Sequence, residues 1–453
     1  MNTDREPGTV RQNVVYSLLD YVSQPAMMVV TAPILLRTLG PRMYGAWMLV
    51  NAITAVASGL GGGFGDGATK FISMYRGRKD QEGVTRSFSA ALAINCVLGS
   101  FLAIGLITSA PLLMGSILKV DPAIRGEVIV AIRISALVLA LRFAEVVFVS
   151  AARAYEVYRP VVVTSVSSRG LILALAVALA IRGYGLVGIL WATLLVEALT
   201  LIVQASLACH TLNFHSLPPI VTIAGAGIQE VFSFGAFTWL KSVMGVLFGH
   251  LDRLLVAALL GTGPLAFYVL CNQIAQIIPS IVVSGFNFIF PHFSARSASD
   301  RWAECKTDYR KATVAASSLV AMVCMPMTFA AHRILIVWLG PAAAAECSSV
   351  LIALTIGNGL LAISVVPQYT ALAFGRPRAL VWINLIAGVV SIIACYALLR
   401  QVGLVGGGFA KIFAGLMSLS SFVVVACVFR KCESTRSRNQ DTAALVSLGL
   451  IGS

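Results

Sequence analysis

The feature that most constrains this chain is a series of apolar runs, each about twenty residues long, parted by short polar stretches. A bilayer core needs roughly 20 apolar residues per helical span. Lipid offers the backbone no hydrogen-bond partner, so each run must satisfy its own amides and carbonyls as a helix. Hydropathy, with breaks at Gly, Pro and charge, places spans at 14–36, 44–63, 88–113, 128–150, 161–181 and 186–208. A second set follows at 231–251, 264–290, 312–331, 348–374, 379–399 and 404–428. Only 11% of the 453 residues are charged, against roughly 25% in a soluble domain, which excludes a soluble fold. The expected fold class is all-α, a polytopic membrane protein with twelve transmembrane helices. The first run is too long for a signal-peptide core and lacks a small-residue cleavage site, so it is expected to remain as a span.

The net charge of +14 is unevenly placed. With the N-terminus, the even-to-odd loops and the C-terminal tail on one side, that side carries 20 of the 33 basic residues and the other side eight. The clusters are Lys70, Arg76, Arg78, Lys79 and Arg86, then Arg296, Arg301, Lys306, Arg310 and Lys311. Basic loops stay on the cytoplasmic side, so both termini are expected there. No soluble segment is present to carry a nucleic-acid-binding motif, and no nucleic-acid partner is expected. The nine cysteines form no CxxC pair and mostly fall within apolar runs, so neither a disulfide framework nor a metal site is expected.

Residues 39–53 read LGPRMYGAWMLVNAI and residues 260–274 read LGTGPLAFYVLCNQI. At an offset of 221, Leu39, Gly40, Leu49, Asn51 and Ile53 recur as Leu260, Gly261, Leu270, Asn272 and Ile274. Gly185-Leu186-Val187-Gly188 recurs as Gly403-Leu404-Val405-Gly406 at an offset of 218. The pairs precede spans two and eight, and spans six and twelve, so the chain reads as a duplication of six spans with both halves oriented alike. The expected organisation is an N-terminal six-helix lobe at 1–208, an interfacial linker at 209–230, a C-terminal lobe at 231–428 and a cytoplasmic tail at 429–453.

The stretch from Leu35 to Arg78 carries LGP-x-x-YG-x-W at Leu39 to Trp47 and GDGATKFIS at Gly65 to Ser73. HLDRLLVAALLG at His250 to Gly261 and GRPR at Gly375 to Arg378 complete the pattern. In these motifs the chain resembles Wzx-type polysaccharide flippases of the multidrug/oligosaccharidyl-lipid/polysaccharide exporter superfamily, over essentially its whole length. The resemblance implies two pseudo-symmetric lobes of the multidrug-exporter type, a V shape and alternating access. It also implies a cationic cavity for an undecaprenyl-diphosphate-linked glycan in the bacterial cytoplasmic membrane, serving O-antigen, capsule or exopolysaccharide synthesis. A glycan polymerase and a chain-length regulator are its candidate partners. No cofactor is implied.

Ionisable groups at membrane depth usually face protein or a water-filled path. Asp20, Arg133, Arg142, Glu145, Arg169, Glu197, Lys241 and Lys411 all fall within expected spans. Arg142 and Arg169 each lie about eight residues from the cytoplasmic end of their spans, roughly 12 Å deep. If their helices face one cavity, they form a paired guanidinium site suited to bidentate binding of a diphosphate. Lys241 could add a charge from the other lobe, and Lys411 could receive the head group nearer the outer side. Arg142 and Glu145, spaced i, i+3, could instead be a structural ion pair. Arg133 lies about 180° around the helix from Arg142 and is expected to snorkel. Asp20, Glu145 and Glu197 are the acidic candidates for coupling or for lining the cavity, and a structural hydrogen bond is the alternative for Asp20.

The glycines at 59, 63 and 67 suit close helix packing. A phosphate loop would need GK[ST], whereas here Thr69 precedes Lys70, so no ATPase activity is expected. No Ser/His/Asp arrangement stands at a span end, and no outer loop is long enough for a glycan polymerase, so an enzyme is not expected. The rival reading is a cation-coupled small-molecule exporter, which would favour acidic groups in its spans. The spans instead hold five basic residues against three acidic ones.

Overall fold

The computed structural model describes residues 7–212, 248–286 and 302–430, together with Val246, Ile289 and Phe293. Among these residues the structure is helical throughout, with short turns and no strand. Among the described residues nine helices are long and apolar enough to cross a membrane, and they coincide with expected spans three to six and eight to twelve. Spans one and two fall in one helical stretch, α1 (Pro7–Gly77). Span seven lies mostly outside the described residues. The chain is thus a multi-pass α-helical membrane protein. Side chains such as Phe101, Val337 and Phe329 stand 72%, 84% and 86% exposed, as lipid-facing positions require.

Gly40 breaks α1 at φ 76° and ψ 162°, a region open essentially to glycine alone. Pro41 follows at the first position of the second arm, where its missing N–H has no partner to lose. The same Leu-Gly-Pro device, with Gly340 at φ 100°, separates Ala331–Leu339 from Pro341–Ile363. Both repeated glycine pairs share left-handed backbone: Gly40 with Gly261 at φ 76° and 94°, and Gly185 with Gly403 at φ 63° and 68°. The repeat is therefore conformational as well as chemical.

The chain divides into two compact units, residues Met1–Gln273 and Ile274–Ser453. The expected linker at 209–230 lies almost wholly outside the described residues. In the first unit, α1 is followed by α2 (Gln81–Leu112), α3 (Arg125–Ala154), α4 (Tyr158–Ile181) and α5 (Gly185–Leu212). The shorter helices α6 (248–260) and α7 (Thr262–Ala275) complete it. Its core gathers Ile72, Tyr75, Phe88, Val147 and Phe148, with the Phe88 and Phe148 rings 5.6 Å apart.

The GDGATKFIS motif explains how α1 meets α3. A Cβ at Gly65 would come within 2.9 Å of Val146 Cγ1, so glycine admits the neighbouring helix. Thr69 Oγ1 donates to the Ser150 carbonyl (3.3 Å), and Ser73 Oγ and Arg76 Nη1 both donate to the Ala154 carbonyl (3.4 and 3.0 Å). Ala154 is the last residue of α3, so no amide within the helix can satisfy its carbonyl. Arg76 also lies 4.7 Å from the Tyr155 ring centroid.

In the second unit, α8 (Ile277–Phe286), α9 (Trp302–Phe329), α10 (Ala331–Leu339), α11 (Pro341–Ile363) and α12 (Val365–Ala373) precede α13 (Pro377–Val402) and α14 (Val405–Ser418). Trp302, Phe374 and Phe429 form an aromatic cluster with centroids 5.1 and 5.4 Å apart. Close approach of α11 and α14 depends on small residues. A Cβ at Gly357 would lie 2.7 Å from Lys411 Cβ, and one at Gly415 would lie 2.6 Å from Leu360 Cβ.

Candidate functional site

A stripe on α3 and a stripe on α4 build the site. Arg142, Glu145, Val146, Val149 and Arg153 recur at spacings of three and four, which keeps them on one helix face. Ser165, Ser168 and Arg169 do the same on α4. These two faces, with Ser58 of α1 and Glu197 of α5, enclose a cavity of about 340 Å³ in the first unit. From Arg142 to Arg153 the α3 face runs about 16 Å at 1.5 Å per residue, so the cavity extends along the helices.

The structure brings Arg142 and Arg169 to one cavity, together with Glu145 and Glu197. The carboxylate bound to Arg142 differs from the local expectation. Arg142 Nε donates to Glu197 Oε1 at 2.8 Å, and Nη2 contacts the same oxygen, so the ion pair runs from α3 to α5 and not to Glu145. Glu197 is buried and Arg142 is half-exposed toward the cavity. A carboxylate taken out of water needs a partner whose charge and donors match it, and the guanidinium of the facing helix supplies both. Arg169 Nη1 reaches Ser23 Oγ at 3.4 Å. Gln204 Nε2 donates to Ser165 Oγ at 3.3 Å and to the Val161 carbonyl at 3.2 Å, fixing the α4 wall against α5.

Three guanidinium groups and two carboxylates thus face this space, leaving one net positive charge if all are ionised. Arg142 and Arg169 share the cavity with Glu145 and Glu197, two of the acidic candidates, in a mixed network with a cationic excess. Arg153 lies beyond the expected span 128–150, yet α3 continues to Ala154 and carries it. Its spacing of eleven from Arg142, about three helical turns, is the signal that places it on the same face.

The other candidates lie elsewhere. Arg133 is exposed and outside the cavity lining, as its angular offset required. Lys411 is half-buried on α14 in the second unit. Lys241 and the side chain of Asp20 lie outside the described residues.

The family described as polysaccharide biosynthesis protein matches residues 10–297. No curated protein matches the chain significantly. Among solved structures, the chain is similar to a multidrug resistance MATE family transporter of the MOP superfamily in its inward-facing conformation. That match has a TM-score of 0.73 at 16% identity and covers 92% of this chain and 99% of the other. It is also similar to a MOP superfamily transporter from Pyrococcus furiosus that is described as having a binding pocket of reversed polarity. There the TM-score is 0.64 at 14% identity, with 95% of each chain covered. At these identities the likeness is one of fold, which is that of the MOP transporters.

Proposed function

Because this chain belongs to the polysaccharide biosynthesis protein family, we propose that it is a flippase for an undecaprenyl-diphosphate-linked oligosaccharide. It would carry this lipid from the inner to the outer leaflet of the bacterial cytoplasmic membrane, with both termini in the cytoplasm. Surface polysaccharide synthesis is the process served, through O-antigen, capsule or exopolysaccharide. The supporting observation is the cavity in which Arg142, Arg153 and Arg169 converge at a net positive charge. Each phosphate of a diphosphate offers pairs of acceptor oxygens that a planar guanidinium binds bidentately, and Arg stays charged where a lysine could lose its proton. Alternating access would work through the two six-span lobes, 1–208 and 231–428, joined at 209–230 and followed by the tail at 429–453. Lys241 and Lys411 would supply cations from the second lobe, and Asp20 is a candidate coupling group. A polymerase and a chain-length regulator would act on the delivered glycan.

The test follows glycan-lipid between leaflets in a deletion strain complemented with variants. Arg169→Ala is expected to leave the lipid-linked glycan in the inner leaflet at wild-type protein level, and Arg169→Lys to restore part of the transport. Normal export by Arg169→Ala would overturn the reading.

One observation favours a second reading. Glu145 and Glu197 also face the cavity, and paired carboxylates suit a cationic small molecule coupled to an ion gradient. Under that reading Glu145→Gln abolishes efflux of a lipophilic cation, and glycan export is untouched by any cavity variant.

A further inference from the structure

A second cavity of about 630 Å³ lies at the other end of the first unit. Small-molecule sites run from about 300 to 1,000 Å³. It is built where three connections meet: the Gly40 turn within α1, the segment between α2 and α3, and the Gly261 turn between α6 and α7. All three connections belong to the side of the membrane with few basic residues. That side holds only eight of the 33 lysines and arginines, yet Arg42, Lys119 and Arg125 line this one cavity. The rule that sorts charge across the membrane does not account for them.

Only one carboxylate among the lining residues opposes these cations. Asp121 binds Arg42 Nη1 through Oδ2 at 2.7 Å, and its Oδ1 accepts the Ala123 amide at 3.1 Å. Glu127, further along α3, is committed to the Leu186 amide at the start of α5 (2.9 Å). Lys119 and Arg125 have no carboxylate partner among the described residues. The Lys119 ammonium spends one of its three donors on the neutral Leu259 carbonyl (3.0 Å). Arg125 Nε is buried and has no acceptor, a cost that a bound anion would remove.

The Lys119 backbone is held in place. Its amide reaches the Ala257 carbonyl at 3.4 Å, and a Cβ at Gly261 would come within 3.1 Å of the Lys119 carbonyl oxygen. The cations are therefore presented by ordered backbone, at a net charge of two for the four ionisable residues that line the cavity.

We propose that this cavity binds a phosphate-bearing anion on the membrane side opposite the basic loops, with Lys119 and Arg125 as the receiving cations. The anion is either a diphosphate group or the phosphate of an anionic phospholipid headgroup. This site is separate from the Arg142–Arg169 cavity and stands or falls independently of it.

The experiment reads the reactivity of Lys119 toward an amine-acylating reagent by mass spectrometry, with exposed Lys79 as the internal control. Full-length protein is compared in phosphatidylcholine nanodiscs, in the same nanodiscs with inorganic pyrophosphate, and in nanodiscs containing phosphatidylglycerol. Bound anion slows acylation of Lys119 saturably, by about tenfold once free anion exceeds its dissociation constant about tenfold. Slowing by pyrophosphate alone identifies a diphosphate site, and slowing by phosphatidylglycerol alone identifies a lipid-headgroup site. Unchanged Lys119 reactivity in both arms, or equal slowing of Lys79, overturns the proposal. Arg125→Gln, checked for an unchanged melting temperature, is expected to abolish the slowing that wild-type protein shows.

Discussion

Arg142 on α3 and Glu197 on α5 are bound to each other through two guanidinium nitrogens that share Oε1 of the carboxylate. The pair is asymmetric in burial: the Glu197 side chain is 7% exposed and that of Arg142 is 43% exposed. Removing either partner therefore has unequal consequences. Arg142→Gln leaves a buried carboxylate without its cation and costs about 3 kcal/mol. Glu197→Gln keeps an acceptor oxygen for a half-hydrated guanidinium and costs about 1 kcal/mol. Thermal unfolding of both variants in detergent checks this order, and equal melting temperatures would mean that cavity water replaces the guanidinium.

Gly40 and Gly45 stand five residues apart in one motif and are glycines for different reasons. Gly40 needs its positive φ and has open space around it, since a Cβ there meets nothing within 4 Å. Gly45 is an ordinary helical residue, but a Cβ there would fall on the Thr262 carbonyl. Gly40→Ala is expected to cost about 1–3 kcal/mol as backbone strain and still give folded protein. Gly45→Ala forces α1 away from α7 and is expected to lower the yield of folded protein further. Expression with size-exclusion profiles separates the two, and a Gly45→Ala variant more stable than Gly40→Ala would refute the contact.

Much of this arrangement was legible in the sequence, because span length and repeat offset are one-dimensional quantities. Counting residues from the cytoplasmic ends put Arg142 and Arg169 at one depth, and both line one cavity. The partner of Arg142 was not legible. Glu197 is 55 residues away on another helix, while Glu145 offered a nearer carboxylate by helical spacing alone. The repeat declared 39–53 and 260–274 equivalent, but equivalence says nothing of touching. That Gly45 lies on the backbone of Thr262 is a property of packing. The cations of the second cavity fall among the eight basic residues of the sparse side, and no linear pattern joins Lys119 to Leu259.

Arg76 makes two contacts at the end of α3, a hydrogen bond to the Ala154 carbonyl and a stack on Tyr155. A cation there also opposes the negative end of the helix dipole. Its surroundings are partly exposed, so Arg76→Ala is expected to cost about 1 kcal/mol. The sharper readout is hydrogen exchange, which should quicken in the last turn of α3 and leave the middle of that helix unchanged. Uniform exchange along α3 would show that Thr69 and Ser73 suffice without it.

Charge placement and the duplication together make one prediction about topology. Both halves should face the same way, so equivalent connections of each should react on the same side. In a cysteine-free background, Ala123→Cys and Ala342→Cys place exposed thiols in odd-to-even connections, one in each unit. Arg78→Cys and Arg376→Cys place exposed thiols in even-to-odd connections. A membrane-impermeant maleimide applied to intact spheroplasts should label the first two, and the second two only after permeabilisation. The reason is energetic: arginine-rich loops resist translocation, and the clusters around Arg78 and Arg376 make that bias agree in both units. Labelling of Ala123→Cys with Arg376→Cys from outside would mean halves of opposite orientation. Such a result would remove the duplication as an explanation of the paired glycine turns.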